Sequence, residues 1–286
     1  MNETASPTAF PQARRRRLQV GVFDSGVGGL SVLRDLKREL PQASLVYVAD
    51  SGHAPYGERS DDFVAGRSER IAGWLVEAGC DALVIACNTA TAVAAERLRA
   101  AWPGLPIVGV EPGLKPAVAL TRNGRIGVMA TTATLRSAKF LRLLDEHAGG
   151  TAVHLQPCPG LAHAIETHAA DAPELLRLID AFCAPLRAAA VDVVVLGCTH
   201  YPLVREAIEA ALGAGVAIVD TAEAVARQAA RRCAGLEGGA ADGGGGDGDC
   251  RLPHELLRTT GSPSELRQVA QRWLPFAFEI GAPLAL

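Results

Sequence analysis

The chain has 286 residues, enough for one large or two medium-sized domains with a substantial buried core. Hydrophobic residues make up 49% and charged residues 21%, both ordinary values for a globular protein. The net charge of −3 provides no general attraction to nucleic acid or to an anionic membrane, so we expect a cytoplasmic protein with neither as a partner.

The first 18 residues predict a disordered, solvated tail, in which Arg14–Arg17 form the one basic cluster. The apolar stretch after these arginines is interrupted at Asp24. It is therefore neither the core of a signal peptide nor a membrane span, and no other run is long enough to cross a bilayer.

Eight short apolar runs follow the tail, and each predicts a strand. They are Gln19–Phe23, Leu45–Ala49, Ala82–Ala86, Ile107–Val110, Ile126–Met129, Ala152–Leu155, Val193–Leu196 and Val216–Val219. Their apolar residues do not alternate with polar ones, as expected of strands buried on both faces. Helical patterns lie between most of them, for example the leucine stripe that begins at Leu30 and ends at Pro41. This alternation indicates parallel α/β sheets.

The last part of the chain begins with a low-complexity segment, 235–249, that predicts a flexible surface loop. Order is expected to return at Glu255–Arg258. A final helix is predicted around Ser264–Trp273, with Ser262 or Ser264 as its N-cap.

Two pairs of similar segments predict an internal repeat. Asp81–Arg97 and Asp192–Glu209 each contain an aspartate, an apolar run and a cysteine, Cys87 or Cys198, before a helix. Val20–Gly28 and Ile126–Thr134 form a second pair at a similar offset. We infer two related halves of four strands each, with one thiol at the end of a buried strand in each half. Thiols facing each other across a cleft suit the removal of a proton from one face of a carbon and its return to the other.

The chain has seven cysteines, an odd number, and none forms a CxxC pair or has zinc-finger spacing. We therefore expect reduced thiols and no metal site. Cys80, Cys183 and Cys233 are expected to be inert and Cys250 to be exposed, whereas Cys158 is ambiguous.

A single cysteine at a strand end is more often a small core residue than a catalyst. The repeat reverses that expectation for Cys87 and Cys198. A following helix N-terminus should lower a thiol pKa from its usual value of about 8.5. Asp24 near Cys87, and His200 near Cys198, could donate or accept a proton.

Two loops at predicted strand ends are further candidates, since ligands of parallel sheets bind at that edge. The turn Asp24–Gly29 could hold a phosphate or a carboxylate through its backbone N–H groups, or could be a tight turn only. In the loop Asp50–Gly57, the residues Pro55, Tyr56 and Gly57 could bring the backbone close to a ligand, although ordinary loop chemistry is an equal alternative.

Together, these segments resemble the glutamate racemases, the cofactor-independent bacterial enzymes that make D-glutamate for peptidoglycan. The matching motifs are VGVFDSGVGGLSVL, DSGHAPYG, ACNTATA, GVEPGLKPA, CPGLAHAIE, GCTHYPL, VDTAEAVA and TTGSP. They extend from about residue 20 to residue 274, and their combination is specific although each motif alone is not.

The resemblance implies Cys87 and Cys198 as the two acid/base residues, the first acting on D-glutamate and the second on L-glutamate. Asp24 would assist the first cysteine, and His200 and Glu166 the second. The substrate contacts that it implies are Asp24, Ser25, Tyr56, Gly57, Asn88, Thr89, Thr199 and His200, with Thr131 and Thr134 as weaker candidates.

The resemblance also implies two pseudo-symmetric, doubly wound α/β domains with the active site in the cleft between them. The first would comprise 19–110 and 220–286, and the second 111–219. We expect no cofactor, because nothing in the sequence suggests a pyridoxal site. The expected partner is glutamate, and a homodimer is left open.

Three alternatives remain at this point. An aspartate racemase of the same superfamily usually carries Glu after Cys-Thr, where this chain has His200. A non-enzymatic phosphate- or nucleotide-binding protein would use Asp24–Gly29 but would leave the paired cysteines unexplained. A chain that has lost activity is disfavoured by the presence of both thiols and His200.

Overall fold

A computed structural model describes residues 17–236 and 254–286 of the chain. Its strands form two parallel sheets. The strands are β1 (Gln19–Asp24), β2 (Ser44–Ala49), β3 (Ala82–Ile85), β4 (Ile107–Gly109), β5 (Arg125–Ala130), β6 (Ala152–Pro157), β7 (Val193–Gly197), β8 (Ala217–Val219), β9 (Glu255–Thr259) and β10 (Glu279–Ile280). All eight predicted strands are present, within one to two residues of their predicted ends.

The first sheet has the order β10-β9-β2-β1-β3-β4, and the second has the order β6-β5-β7-β8. Their shared part, β2-β1-β3-β4 and β6-β5-β7-β8, follows the same order, as the internal repeat predicts. The eight predicted strands divide four and four between the two sheets, as expected. The first sheet is larger than predicted, because β9 and β10 extend it beyond β2.

Helices cover both faces of each sheet, so that the fold is doubly wound as expected. They are α1 (Leu30–Glu39), α2 (Asp61–Glu77), α3 (Asn88–Ala101), α4 (Leu114–Leu120), α5 (Thr132–Arg136), α6 (Ala138–His147), α7 (Leu161–Thr167), α8 (Pro173–Ala188), α9 (Arg205–Leu212), α10 (Ala222–Cys233) and α11 (Pro263–Trp273). Short 3₁₀ turns lie at Ser51–His53, Tyr56–Glu58 and Tyr201–Val204. Two hydrophobic cores flank the first sheet and two flank the second.

Local sequence explains how α1 packs and where α11 begins. The buried stripe of Leu30, Leu33 and Leu36 packs α1 on the first sheet, where α10 contacts it. Ser262 accepts a hydrogen bond from the backbone N–H of Glu265 and caps α11, which confirms one of its two predicted caps.

The sheets divide the sequence discontinuously. Strands of the first sheet come from 19–109 and 255–280, and those of the second from 125–219. The domain limits at residues 110 and 220 remain a prediction.

Nearly all of the predicted tail and of the Gly/Asp-rich segment 235–249 lies outside the described residues. Within the described ranges, no helix is long and apolar enough to cross a membrane.

Candidate active site

The carboxyl ends of the central strands of both sheets contribute to one small cavity. Most of its lining comes from the segments that directly follow β1, β3, β5 and β7, together with the loop after β2. The lining residues are Ser25, Pro55, Tyr56, Gly57, Cys87, Asn88, Thr89, Thr131, Ala162, Gly197, Cys198, Thr199 and His200. The cavity volume is about 20 Å³, which is room for about one water molecule. Both repeated cysteines therefore face the same enclosed space.

Cys87 lies between β3 and α3, with only 5% of its surface exposed. Its Sγ accepts a hydrogen bond from the backbone N–H of Ala90 at 3.5 Å and lies 3.8 Å from Ser25 Oγ. Burial, followed by the negative charge of Asp24, raises the pKa of this thiol above its ordinary value. The predicted lowering by the helix N-terminus is therefore wrong for Cys87, because one backbone N–H does not offset the loss of solvent.

Cys198 belongs to a chain of three polar side chains. Its Sγ lies 3.7 Å from His200 Nδ1, and His200 Nε2 lies 2.7 Å from Glu166 Oε1. Burial alone would lower the pKa of His200, but Cys198 and Glu166 raise it well above the ordinary value. Burial alone would raise the pKa of Glu166, but His200 and the N–H of Val27 hold it below the ordinary value. The geometry thus favours an imidazolium between two acidic groups.

Asp24 is fully buried at the end of β1 and does not line the cavity. Its Oδ1 accepts from the N–H of Ser25 at 2.8 Å, and its Oδ2 accepts from the N–H of Gly29 at 2.7 Å and from Thr199 Oγ1 at 3.4 Å. Burial raises the pKa of Asp24, against the opposing effect of His200. Ser25 Oγ lies 3.4 Å from Asp24 Oδ1, so Ser25 connects this carboxyl group to the Cys87 thiol.

The predicted anion site in the turn Asp24–Gly29 is occupied by the protein's own carboxylates. Asp24 accepts two of its N–H groups, and Glu166 Oε1 accepts a third, that of Val27, at 3.0 Å. The turn therefore joins the first sheet to Glu166 of α7, and its geometry does not support an external phosphate.

Two glycines of this turn, Gly26 and Gly28, are required by the close approach of the second half. A Cβ atom added to Gly28 would lie 2.4 Å from His200 Nδ1, far inside van der Waals contact. Gly28→Ala should therefore displace His200 and lower turnover by about 10²-fold, the lower range for a misplaced acid/base group. The matched control is Gly66→Ala in α2, where an added Cβ meets no atom within 4 Å. The control should keep its activity, and Gly28→Ala with full activity would contradict the placement of His200.

Hydroxyl groups connect the two halves across the cavity. Thr89 Oγ1, after β3, lies 3.0 Å from Thr131 Oγ1 and 3.2 Å from Thr134 Oγ1, both after β5.

Asn88 Oδ1 is buried without a hydrogen-bond partner among the described residues. Buried polar atoms nearly always have a partner. An unpaired acceptor on the lining therefore points to a ligand that carries a donor.

The loop after β2 closes the cavity, but the Tyr56 hydroxyl points away from it. That hydroxyl donates to the buried Asp50 Oδ2 at 2.5 Å. A Cβ atom added to Gly57 would lie 2.7 Å from Thr131 Cβ, so the loop backbone touches the second half. Any contact of Tyr56 and Gly57 with a ligand would thus come from the backbone and the tyrosine ring.

The cavity gathers most of the predicted site residues. Asp24, Glu166 and Thr134 lie behind its lining and contact residues that form it. Sequence reasoning missed Ala162 and Gly197, although both stand inside the quoted motifs. Cys80, Cys183 and Cys233 are buried in hydrophobic cores, and Cys250 lies outside the described residues. No cluster of metal-binding side chains occurs among the residues described.

Comparison with known proteins identifies the family to which the chain belongs. The family model described as Asp/Glu/hydantoin racemase matches residues 20–229. The chain belongs to this racemase family. A glutamate racemase of Pseudomonas aeruginosa is 52% identical over 212 residues, which are 74% of this chain and 80% of that relative.

Solved structures of the family also match this racemase. A glutamate racemase isoform of Bacillus anthracis superposes with a TM-score of 0.82 at 33% identity, covering 96% of this chain and 99% of the other. The Escherichia coli glutamate racemase, in complex with L-glutamate and the activator UDP-MurNAc-ala, gives a TM-score of 0.80 at 30% identity, covering 94% and 100%. The chain is thus an isomerase with the two-sheet fold of glutamate racemases.

Proposed function

We propose that the protein interconverts L-glutamate and D-glutamate without a cofactor, with Cys87 and Cys198 as the two acid/base groups. The observation that carries the proposal is the presence of both thiols on one cavity, each at the end of the corresponding strand of its sheet. The similarity to glutamate racemases supports the substrate. His200, which follows Cys198 and Thr199, favours glutamate over aspartate.

The proposed reaction moves one proton at each thiol. A thiolate removes the α-proton from one face, the C–H electron pair remains on the α-carbon, and the opposite thiol delivers its proton to the other face. With L-glutamate the base is Cys198, next to the positive His200; with D-glutamate it is Cys87, assisted by Asp24 through Ser25. The two cysteines must therefore start in different protonation states.

The lining supplies groups that fit an amino acid. The unpaired Asn88 Oδ1 would accept from the substrate ammonium group. The hydroxyl-bearing side chains of Ser25, Thr89, Thr131 and Thr199 would contact its carboxylates, with Thr134 supporting two of them from behind. Hydrogen bonds to the α-carboxylate in an enclosed site would stabilise the carbanion-like transition state. Because the cavity holds about 20 Å³, the two halves must separate to admit glutamate and then close.

The proposal extends to the setting of the reaction. The two halves, 19–110 with 220–286 and 111–219, act as domains that move about this cleft. The product D-glutamate serves peptidoglycan synthesis in the cytoplasm.

The test is incubation of the purified, reduced protein with L-glutamate, and separately with L-aspartate, without added cofactor. Loss of optical rotation with glutamate, at least about 10²-fold faster than with aspartate, supports the proposal; this ratio is within the discrimination that a polar site achieves. Faster loss of optical rotation with aspartate would assign the protein to the aspartate racemases instead. No change with either substrate would refute the proposed function.

A further inference from the structure

The carboxylate of Asp50 is fully buried behind the loop after β2, and the proposed reaction does not use it. Asp50 directly follows β2, and both of its oxygens accept several hydrogen bonds. Oδ1 accepts from Thr260 Oγ1 at 2.7 Å, Arg67 Nη2 at 2.8 Å and His53 Nδ1 at 3.0 Å. Oδ2 accepts from the Tyr56 hydroxyl at 2.5 Å and Arg67 Nε at 2.9 Å. We call these five residues the Asp50 cluster.

The Asp50 cluster joins three separate parts of the first half. Tyr56 and His53 belong to the loop after β2, Arg67 belongs to α2, and Thr260 follows β9. The Arg67 side chain is 5% exposed and makes a two-point ion pair with Asp50. Burial alone would raise the pKa of Asp50, but Arg67, Tyr56 and Thr260 hold it below its ordinary value. The Asp50–Arg67 ion pair at the centre of the cluster is therefore charged, buried and geometrically fixed.

The part of the cluster that approaches the site is the loop itself. Pro55, Tyr56 and Gly57 line the cavity that holds both thiols. The contact of Gly57 with Thr131 brings this loop against the second half. Tyr56 is the direct connection, because it lines the cavity and its hydroxyl donates to Asp50.

We propose that Asp50 and Arg67 are positioning residues for racemisation, which act through the Tyr56 hydroxyl to hold residues 54–57 as the wall that closes the substrate cavity. The inference rests on the proposed function only in taking glutamate as the ligand. Neither side chain contacts the substrate in this account. A loop held in place before binding spares the entropy cost of ordering it around the ligand, so loosening the loop should weaken binding more than turnover.

The test compares Tyr56→Phe and Asp50→Asn with the wild-type protein. Each variant should raise the KM for glutamate about tenfold or more, the factor expected for losing a hydrogen bond to a charged group. The value of kcat should change less than KM. Alkylation of Cys87 by iodoacetamide, located by peptide mass spectrometry, should also accelerate about tenfold, because the 5% exposure of this thiol depends on the closed loop. Tyr56→Phe retains the ion pair with Arg67 and is the variant to use if Asp50→Asn does not fold.

Asp192→Asn is the matched control. Asp192 precedes β7, at the opposite end of its sheet from the cavity, and also anchors a loop. It accepts from Thr121 Oγ1 at 2.5 Å and from the N–H groups of Arg122 at 2.7 Å and Asn123 at 3.0 Å. The control should lose stability and leave both the KM and the alkylation rate unchanged.

Two results would overturn the inference: a folded Tyr56→Phe protein with wild-type KM and alkylation rate, or an Asp192→Asn protein that shifts both quantities equally. The alkylation rate does not depend on which substrate the protein uses, so it tests the loop independently of the proposed function. If the wild-type protein does not racemise glutamate, the proposed function fails, and the alkylation comparison alone decides whether the Asp50 cluster holds the loop.

Discussion

Replacing either cavity cysteine by alanine, Cys87→Ala or Cys198→Ala, is expected to lower racemisation by about 10²–10⁴-fold in both directions, the cost of losing a positioned acid or base. Each direction needs one thiolate to remove the α-proton and the opposite thiol to supply another. Neither cysteine can therefore replace the other. Polarimetry started from pure L-glutamate and from pure D-glutamate measures both effects.

The control for these variants is Cys183→Ala, which removes a thiol with no role in the proposed chemistry. Cys183 is completely buried in a core of the second half. Its replacement should leave the rate unchanged and should cost about 1 kcal/mol of stability for a small core truncation. More than about a hundredth of the wild-type rate in Cys87→Ala or Cys198→Ala would contradict the two-thiol scheme.

Replacing His200 by asparagine is expected to produce the second largest loss, about 10²-fold or more, because in the proposed mechanism His200 stabilises the thiolate of Cys198 and is itself oriented by Glu166. His147→Asn, at the end of α6, is the control and should retain full activity. A His200→Asn protein as active as this control would remove His200 from the mechanism.

The same variant should change the pH dependence of stability in a defined direction. The pKa of His200 is raised in the folded protein, so its contribution is complete below the unfolded pKa of about 6.5 and is lost as the pH rises through the folded value. The pKa of Glu166 is lowered, so its contribution is complete above about 4.5 and is lost as the pH falls through the folded value.

Urea unfolding between pH 4 and pH 9 measures this dependence. The stability deficit of His200→Asn relative to wild type should be largest below about pH 6.5 and should shrink at alkaline pH. The deficit of Glu166→Gln should behave oppositely and shrink in acid. A pH-independent deficit in both variants would mean that the two groups do not form an ion pair.

The sequence was sufficient to predict the strands that begin in short apolar runs. All eight predicted strands are present, and the repeat indicated the common order of the two sheets. The expected burial on both faces is wrong for β6, an edge strand without a buried residue. β9 was missed as a strand because Glu255 and Arg258 interrupt its apolar character and a Gly/Asp-rich segment precedes it. Its place beside β2 depends on tertiary pairing, which local periodicity does not contain.

The cavity was predictable in its chemical residues and not in its electrostatics. The repeat and the motifs indicated Cys87 and Cys198, but the raised pKa of Cys87 depends on how completely the site is buried. The N–H groups of Asp24–Gly29 suggested an external anion, whereas Asp24 itself accepts two of them and Glu166, distant in sequence, accepts a third. Similarly, nothing local to Asp50 indicates that Arg67 and Thr260 converge on it.

Racemisation in D₂O tests the two-thiol account most directly. Starting from unlabelled L-glutamate, recovered substrate and new D-glutamate are separated at low conversion, and the deuterium at the α-carbon is measured in each. The two-thiol mechanism should give one deuterium in the product and almost none in the recovered substrate, because different thiols act on the two faces. Comparable labelling of both isomers from the start, or product that retains the original hydrogen, would show that one base serves both faces and would contradict the account.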